Sequence, residues 1–230
     1  MPAPVEPVTA LKLRDDAAIR GPPADCARCP RLVAFRAANR AREPAWHNAP
    51  VPAFGPFDAR LLVLGLAPGL RGANRSGRPF TGDHAGQLLY ATLLRHGLAA
   101  GRYAEHAGDR LRLIDCRVSN AVRCVPPDNK PTGAEIAQCR PFLQAELAAM
   151  PRLAAVLALG RIAHDQLLAA LGRSPRQFLF GHGVRHALPE GPTLYDSYHC
   201  SRYNTQTGRL TPAMFEAVLA RIRQELFSGS

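Results

Sequence analysis

The stretch from Leu61 to Asp83 constrains the fold more than any other part of the sequence. It begins with a nearly uninterrupted run of Leu and Val, LLVLGL, and continues into a long turn rich in Gly, Pro, Asn and Arg. An apolar run of this length, bounded by Gly and Pro, is typical of a strand that is covered on both faces. In open α/β sheets, ligands bind beyond the carboxyl ends of such strands. The stretch therefore predicts a buried strand followed by a functional loop.

The same strand-then-helix pattern recurs along the chain. Further strands are predicted over residues 117–122, 154–159 and 193–198, and helices over 31–43, 84–97, and from Thr132, Gly160 and Pro212 onward. Thr132 and Glu135 have the spacing of a capping box. Strands that alternate with helices predict an α/β fold with a mostly parallel sheet covered by helices on both faces. Residues 1–25 are rich in Pro and are expected to form an extension, and residues 26–230 a single domain.

Length and composition limit the class of protein. The chain has 230 residues, of which 47% are hydrophobic, enough for a substantial core. Its net charge of +11 favours a polyanionic partner, nucleic acid before an anionic membrane surface. An Arg-rich composition that reflects genomic base bias is the alternative. No stretch approaches the roughly 20 apolar residues of a membrane span, and residues 1–21 lack the pattern of a secretory signal. A cytoplasmic protein is expected.

The six cysteines are expected to be reduced in that compartment, so paired spacing among them indicates metal rather than disulfides. Cys26 and Cys29 form a C-x-x-C pair, while Cys124 follows a predicted strand and Cys139 lies in the next predicted helix. An iron–sulfur cluster, zinc and coincidence remain open for these four. The other two cysteines, Cys116 and Cys200, are interpreted as small buried side chains.

The loop at 71–83 carries donors suited to phosphate. Three Arg residues lie between Arg71 and Arg78 without any acid, and Phe80 follows them. Phe80 is either a stacking surface for a base or an apolar plug for the loop. Asp83 directly precedes a predicted helix, so it is either the N-cap or a carboxylate that orients water.

Two further polar residues lie at predicted strand ends. The amide of Asn120 offers a donor and an acceptor side by side, as one edge of a nucleobase requires. His199 follows the fourth predicted strand, where it either donates to a carbonyl that gains charge or acts as an ordinary capping residue.

Taken together, four motifs resemble those of the uracil-DNA glycosylase superfamily, and most closely its family 5, the type-b enzymes. They are GLAPG at 65–69, GRPFTGD at 77–83, NAVRC at 120–124, and SYHCS at 197–201 followed by residues 202–209. The resemblance extends from about Cys26 to the last helix. It implies a three-layer α/β/α sandwich around a four-stranded, mostly parallel sheet.

The resemblance also implies an activity: excision of uracil and some other deaminated bases, such as hypoxanthine and xanthine, from double-stranded DNA. The motifs contain no Lys that could form a Schiff base, so a monofunctional enzyme is expected, and the protein is expected to be a monomer. By the family pattern, a structural 4Fe-4S cluster is held by Cys26, Cys29, Cys124 and Cys139. The base pocket comprises Gly65, Ala67, Phe80, Asn120 and His199, and the catalytic residues are Asp83, Asn120 and His199. The expected DNA contacts are Arg71, Arg75, Arg78, Arg202, Asn204, Gln206 and Arg209.

One position departs from other branches of the superfamily. Ala67 stands where those branches carry an Asp or Asn that handles the attacking water, and an Ala cannot do so. The resemblance to type-b enzymes gives that task to Asp83. Ala67 also leaves room for a different class, a non-catalytic iron–sulfur protein of the same fold that binds DNA, and a zinc protein acting on RNA is a more distant alternative.

Overall fold

The computed structural model describes residues 21–227, which form seven strands and seven α-helices. In chain order the elements are α1 (Pro30–Arg42), β1 (Leu61–Gly65), α2 (Ala73–Ser76), α3 (His84–Arg95), β2 (Ala99–Ala100), β3 (Arg112–Leu113), β4 (Cys116–Asn120), α4 (Gly133–Ala148), β5 (Ala155–Leu159), α5 (Arg161–Ala170), β6 (Arg185–Ala187), β7 (Thr193–Ser197), α6 (Arg202–Gln206) and α7 (Pro212–Phe227). Short 3-10 turns occupy Pro127–Asn129 and Pro175–Gln177. The four strands predicted from the sequence all form, with ends shifted by at most two residues.

The central sheet has five strands in the order β4-β1-β5-β7-β6. β4, β1, β5 and β7 are parallel, and β6 pairs antiparallel with β7. The prediction of a mostly parallel sheet is confirmed, whereas the expected count of four strands is wrong by one. The missed strand β6 is only three residues long, Arg185–Ala187, and lies at the sheet edge, so it lacks the apolar run that marks the other four.

Helices cover both faces of this sheet, as predicted. Leu61 and Val63 face one core with Leu89 of α3 and Phe215 of α7. Leu62 and the other alternate residues of β1 face a second core, which contains residues of α4 and α5. Every residue of β1, β4 and β5 is buried, and successive side chains of each strand point to opposite faces, so each strand contributes to both cores. Each fully buried Leu stabilises the fold by about 2 kcal/mol.

The parallel register brings the carboxyl ends of the strands to one edge. Gly65 of β1 pairs with Asn120 of β4, and Leu159 of β5 pairs with Ser197 of β7. The loops that follow these residues therefore meet at one edge of the sheet. The capping box at the start of α4 also forms as predicted: the Glu135 amide donates to Thr132 Oγ1, and Glu135 Oε2 accepts from the Thr132 amide.

The predicted N-terminal extension lies mostly outside the described residues. Within residues 21–227, no helix is both long enough and apolar enough to cross a membrane.

Candidate active site

A cleft of about 620 Å³ opens at the carboxyl edge of the sheet. Five of the six residues predicted for the base pocket and for catalysis line it: Ala67, Phe80, Asp83, Asn120 and His199. They come from loops that are distant in sequence and are brought together by the parallel strands. The remaining lining residues include Pro68, Gly69, Arg71, Gly82, His84, Asn129, Ser201 and Arg202.

Phe80 is held in a strained backbone conformation at the wall of the cleft. Its φ is +51°, in the left-handed region that non-glycine residues rarely adopt. Its carbonyl accepts from the Tyr103 hydroxyl at 3.2 Å, and a Cβ on Gly86 would lie 1.8 Å from the same carbonyl oxygen. A Cβ on Gly65 would lie 2.6 Å from the Phe80 ring. The two glycines therefore allow the close approach that fixes the ring.

Asn120 presents an unsatisfied acceptor. The side chain is buried, and its Oδ1 has no hydrogen-bond partner among the described residues. A buried polar atom without a partner is costly in a folded protein, typically by about 1–3 kcal/mol. The atom lies where a Cβ on Gly65 would be 2.4 Å away, so the absence of a side chain at Gly65 leaves space for it. An unpaired acceptor in a cleft indicates a ligand with an N–H or O–H group.

Asp83 is the N-cap of α3, as its position in the sequence suggested. Its Oδ1 accepts from the Gly86 amide at 3.1 Å. Its second oxygen, Oδ2, is directed at the glycines of the preceding loop: a Cβ on Gly72 would lie 2.2 Å from it and one on Gly69 3.2 Å. Both expected roles are geometrically compatible, because the cap uses only one carboxylate oxygen.

His199 also lines the cleft. Its ring stacks near Phe80, with the ring centroids 5.8 Å apart and the planes inclined by 27°. Burial lowers the pKa of His199, and the nearby negative charge of Asp83 opposes that shift only in part, so the imidazole is neutral at pH 7. Its backbone carbonyl accepts from Asn204 Nδ2 at 2.8 Å, so Asn204 fixes the segment that carries the ring.

The expected DNA contacts divide into two groups. Arg71 and Arg202 line the cleft, and the remaining exposed residues of this set are Arg75, Gln206 and Arg209. The expectation for Arg78 is wrong: it is buried, and its guanidinium makes a bidentate ion pair with Asp109 at 2.6 and 2.8 Å. A phosphate cannot reach a guanidinium that is buried and already neutralised.

The four cysteines expected to bind metal come together on the β4 side of the cleft. Cys26, Cys29, Cys124 and Cys139 line a small cavity with apolar walls. Burial raises the pKa of the Cys29, Cys124 and Cys139 thiols, to about 11 for Cys124. Cys116 and Cys200 are separate from the cavity and fully buried, as expected.

A buried cation lies against these thiols. Arg36 is only 3% exposed, donates from Nη1 to Cys124 Sγ at 3.1 Å and from Nη2 to the Cys26 carbonyl, and has an unpaired Nε. In the described part of the chain it has no carboxylate partner. Arg123, whose backbone amide donates to Cys139 Sγ, shares the buried carboxylate of Glu146 with Arg117. The surroundings of the thiols therefore carry a net positive charge.

Three residues that shape the site were not predicted. Tyr103 donates to the Phe80 carbonyl, Asp109 pairs with Arg78, and Asn129 lines the cleft with φ of +57°. Asn129 could have been predicted, because it lies in the polar loop that follows the end of β4. The other two belong to the segment between β2 and β3, whose sequence carries no sign of contact with residues 78–82.

The fold and the cleft together are those of an α/β protein with an unpaired amide acceptor beside an aromatic ring at the carboxyl edge of its sheet. A family model described as the uracil DNA glycosylase superfamily matches residues 52–223. The chain therefore belongs to the uracil-DNA glycosylase superfamily, and its relatives place it in the type-5 branch.

Three proteins named type-5 uracil-DNA glycosylase illustrate the similarity. The protein from Thermus thermophilus is 47% identical over 205 residues, which cover 86% of this chain and 93% of the relative. The protein from Mycobacterium tuberculosis is 43% identical over 211 residues, covering 86% and 77%. The protein from Pyrobaculum aerophilum is 40% identical over 201 residues, covering 86% and 87%. A type-4 protein from the same archaeon is 34% identical over only 54% of this chain.

Proposed function

We propose that this protein is a monofunctional uracil-DNA glycosylase that hydrolyses the N-glycosidic bond of uracil in double-stranded DNA and so initiates base-excision repair. The observation that carries the proposal is the unpaired Oδ1 of Asn120, buried in a cleft beside Phe80, Asp83 and His199. Family membership and the type-5 relatives support the same activity. Its site of action would be the cytoplasm, on chromosomal DNA.

Recognition requires that the base leave the duplex, because a stacked base cannot reach a cleft. Asn120 Oδ1 then accepts from the ring N–H of uracil, and its amide donates to the adjacent carbonyl. The ring of Phe80 provides the stacking surface. A bound base gives Asn120 Oδ1 the hydrogen bond that it otherwise lacks. Base binding therefore removes the cost of burying an unpaired acceptor.

The chemical step needs a stabilised leaving group and a water. The neutral imidazole of His199 donates an N–H to a base carbonyl, where negative charge accumulates as the bond breaks. Asp83 Oδ2 orients the water that captures the oxocarbenium-like sugar, and the base departs as an anion. None of the four motifs contains a Lys that would form a Schiff base, so hydrolysis completes the reaction.

Duplex binding rests on the exposed cations around the cleft. Arg71, Arg75, Arg202 and Arg209 with Gln206 would contact phosphates, whereas Asn204 holds the His199 segment. Hypoxanthine and xanthine present a ring N–H next to a carbonyl, as uracil does, so they are included in the proposal.

We further propose a 4Fe-4S cluster held by Cys26, Cys29, Cys124 and Cys139. A cluster with four thiolates is a dianion, and it would neutralise Arg36 and the excess charge of Arg117 and Arg123 over Glu146. Zinc would draw its four sulfurs to within about 3.8 Å of one another, given Zn–S bonds of about 2.3 Å. Among the described residues, a group of three ligand atoms within 4.8 Å of one another is formed by His164, His186 and Asp196, whereas the four cysteines form no such group. The spacing of the cysteines therefore favours a cluster over zinc. When bound, the cluster would tie the segment at 26–29 to the chain that follows Asn120.

A cleavage assay tests the enzymatic proposal. Purified protein is incubated with three otherwise identical duplexes that carry one uracil, one hypoxanthine or no lesion, and alkali then cuts at abasic sites. We expect strand scission in the uracil duplex, scission in the hypoxanthine duplex, and none in the undamaged control. Retardation of the uracil duplex without scission would instead support the non-catalytic DNA-binding alternative.

The cluster proposal has a test of its own, independent of activity. Cys124→Ser removes one proposed ligand, and Cys116→Ser removes a buried thiol of β4 that is outside the cavity. We expect the first variant to be colourless, to lose iron and to be less soluble, while the control stays brown with full iron content. Full iron content in Cys124→Ser would contradict the ligand set. A colourless wild-type protein that contains zinc would show that the cysteines bind zinc and not a cluster.

A further inference from the structure

A surface of alternating basic and aromatic side chains lies beside the cleft. It comprises Arg161, Phe180, His182, Tyr198 and Arg209, which we call the flank ridge. The Arg161 guanidinium lies 5.5 Å from the centroid of the Phe180 ring, and that of Arg209 lies 4.5 Å from the Tyr198 ring. Phe180 and His182 both contact Tyr198, with centroids 6.2 and 5.2 Å away. The rings thus form a platform that holds two guanidinium groups.

The sheet order fixes where this surface lies relative to the base pocket. Arg71 and Arg75 follow β1, whereas Arg161 follows β5, Tyr198 follows β7, and residues 178–184 lead into β6. β6 runs antiparallel to β7, so its first residue, Arg185, pairs with Tyr195 near the same carboxyl edge. A Cβ on Gly160 would lie 3.8 Å from the His199 Cβ, so Arg161 begins next to the pocket. The flank ridge therefore extends along the sheet edge from the pocket toward β6.

The charge of the flank ridge is not neutralised within the protein. Arg161 and Arg209 are exposed, and in residues 21–227 neither forms an ion pair with a carboxylate. Cation–π contacts fix the direction of a guanidinium without removing its charge. Uncompensated, oriented guanidinium groups beside a base pocket are suited to phosphates.

We infer that the flank ridge binds the DNA backbone on the β6 side of the flipped nucleotide, with Arg161 as a contact. The inference rests on the proposed function, since it takes duplex DNA as the ligand. Three strand spacings of about 4.8 Å separate β1 from β6, a span of about 14 Å. Arg161, at the carboxyl end of β5, lies one of these spacings from β1, and the residues that lead into β6 lie farther out.

Charge removal at the two ends of one strand provides a matched test. Arg161 follows the carboxyl end of β5, and Arg152 precedes its amino end at the opposite edge of the sheet, where its ion pair with Asp58 is exposed and spans 4.0 Å. Arg161→Ala, Arg161→Lys and Arg152→Ala are compared with wild type. Binding is measured between about 50 and 200 mM salt on a duplex carrying 2′-fluorodeoxyuridine, which resists cleavage, and on the undamaged duplex.

We expect Arg161→Ala to bind both duplexes on the order of fivefold more weakly at low salt and to reduce the slope of log affinity against log salt by about one. Arg161→Lys should retain most of the slope, and Arg152→Ala should match wild type. Equal losses in Arg161→Ala and Arg152→Ala, or wild-type affinity and slope in Arg161→Ala, would overturn the inference.

Failure of the proposed function is distinguishable from failure of the flank ridge. Cleavage of the uracil duplex by the wild-type protein tests the enzyme alone. Scission by wild type with unaltered binding in Arg161→Ala refutes the flank ridge and leaves the enzyme. Weaker binding in Arg161→Ala without scission by wild type supports a DNA surface on a non-catalytic protein.

Discussion

The two carboxylate oxygens of Asp83 have different environments. Oδ1 accepts from the Gly86 amide and caps α3, while Oδ2 faces Gly69 and Gly72 at the cleft. The sequence left open whether this residue caps the helix or orients water, and the geometry makes these roles separable. Asn and Asp are about equally effective N-caps, but an amide lacks the negative charge of a carboxylate.

Replacement of Asp83 should therefore separate stability from catalysis. We expect Asp83→Asn to keep the melting temperature of wild type but to lower the single-turnover cleavage rate by on the order of 10²- to 10⁴-fold. Asp83→Ala should lose the rate and also about 1 kcal/mol of stability, because the cap is gone. Single-turnover kinetics and denaturant titrations measure the two effects. An unchanged rate in Asp83→Asn would remove Asp83 from the mechanism and leave it a helix cap.

The loop at residues 77–83 is an element that owes its shape to a buried ion pair. Arg78 donates to Thr81 Oγ1 and to both oxygens of Asp109, and its guanidinium lies 5.0 Å from the centroid of the Phe54 ring. Burial acts to raise the pKa of Asp109, but hydrogen bonds from Arg78 and two backbone amides lower it to about 2. The carboxylate thus stays charged at neutral pH and connects the segment between β2 and β3 to the loop of Phe80.

A matched pair of substitutions in this loop distinguishes a structural from a DNA-binding arginine. Arg78→Gln leaves Asp109 buried without its partner, so we expect a loss of about 3–5 kcal/mol in the free energy of unfolding and a lower cleavage rate. Arg75→Gln, three residues earlier on the exposed surface, should change stability by less than about 0.5 kcal/mol and reduce the salt slope of DNA binding by about one. The reverse pattern would return Arg78 to the DNA surface.

The elements show which features a single sequence can predict. β1, β4, β5 and β7 carry apolar runs, and the capping box of α4 is local, so periodicity and spacing identify them. β6 forms by pairing with the free edge of β7. Its three residues carry no pattern that predicts this pairing. The charge of Arg78 is visible in the sequence, but its partner Asp109 lies 31 residues away, so its burial was not predictable.

At the scale of the whole molecule, contacts between distant segments were the least predictable. His164 of α5 and Asp196 of β7 are both fully buried and joined by a 2.8 Å contact between Nδ1 and Oδ1. The other ring nitrogen of His164 contacts the Phe178 carbonyl at 2.8 Å. Both partners are hydrogen-bond acceptors, so the doubly protonated ring is the form that satisfies both contacts. The His164 side chain thus links α5 to β7 and to the segment that precedes β6.

This imidazolium makes stability depend on pH in a defined direction. Burial acts to lower the pKa of His164, but Asp196 and the Phe178 carbonyl raise it above its usual 6.5. Its contribution is fully present below pH 6.5 and is lost as pH rises through the folded pKa, because the folded state then binds more protons than the unfolded state. Burial lowers the pKa of His182 and His199, so their contributions have the opposite sign.

The comparison of wild type with His164→Gln isolates the His164 contribution, because His182 and His199 are present in both. We expect the variant to be less stable, with a difference in the free energy of unfolding that is largest below pH 6.5 and shrinks as pH rises above it. Urea titrations at a series of pH values measure this difference. If it instead grew with pH, His164 would be neutral in the folded protein, and the hydrogen bond to the Phe178 carbonyl or the one to Asp196 would be absent.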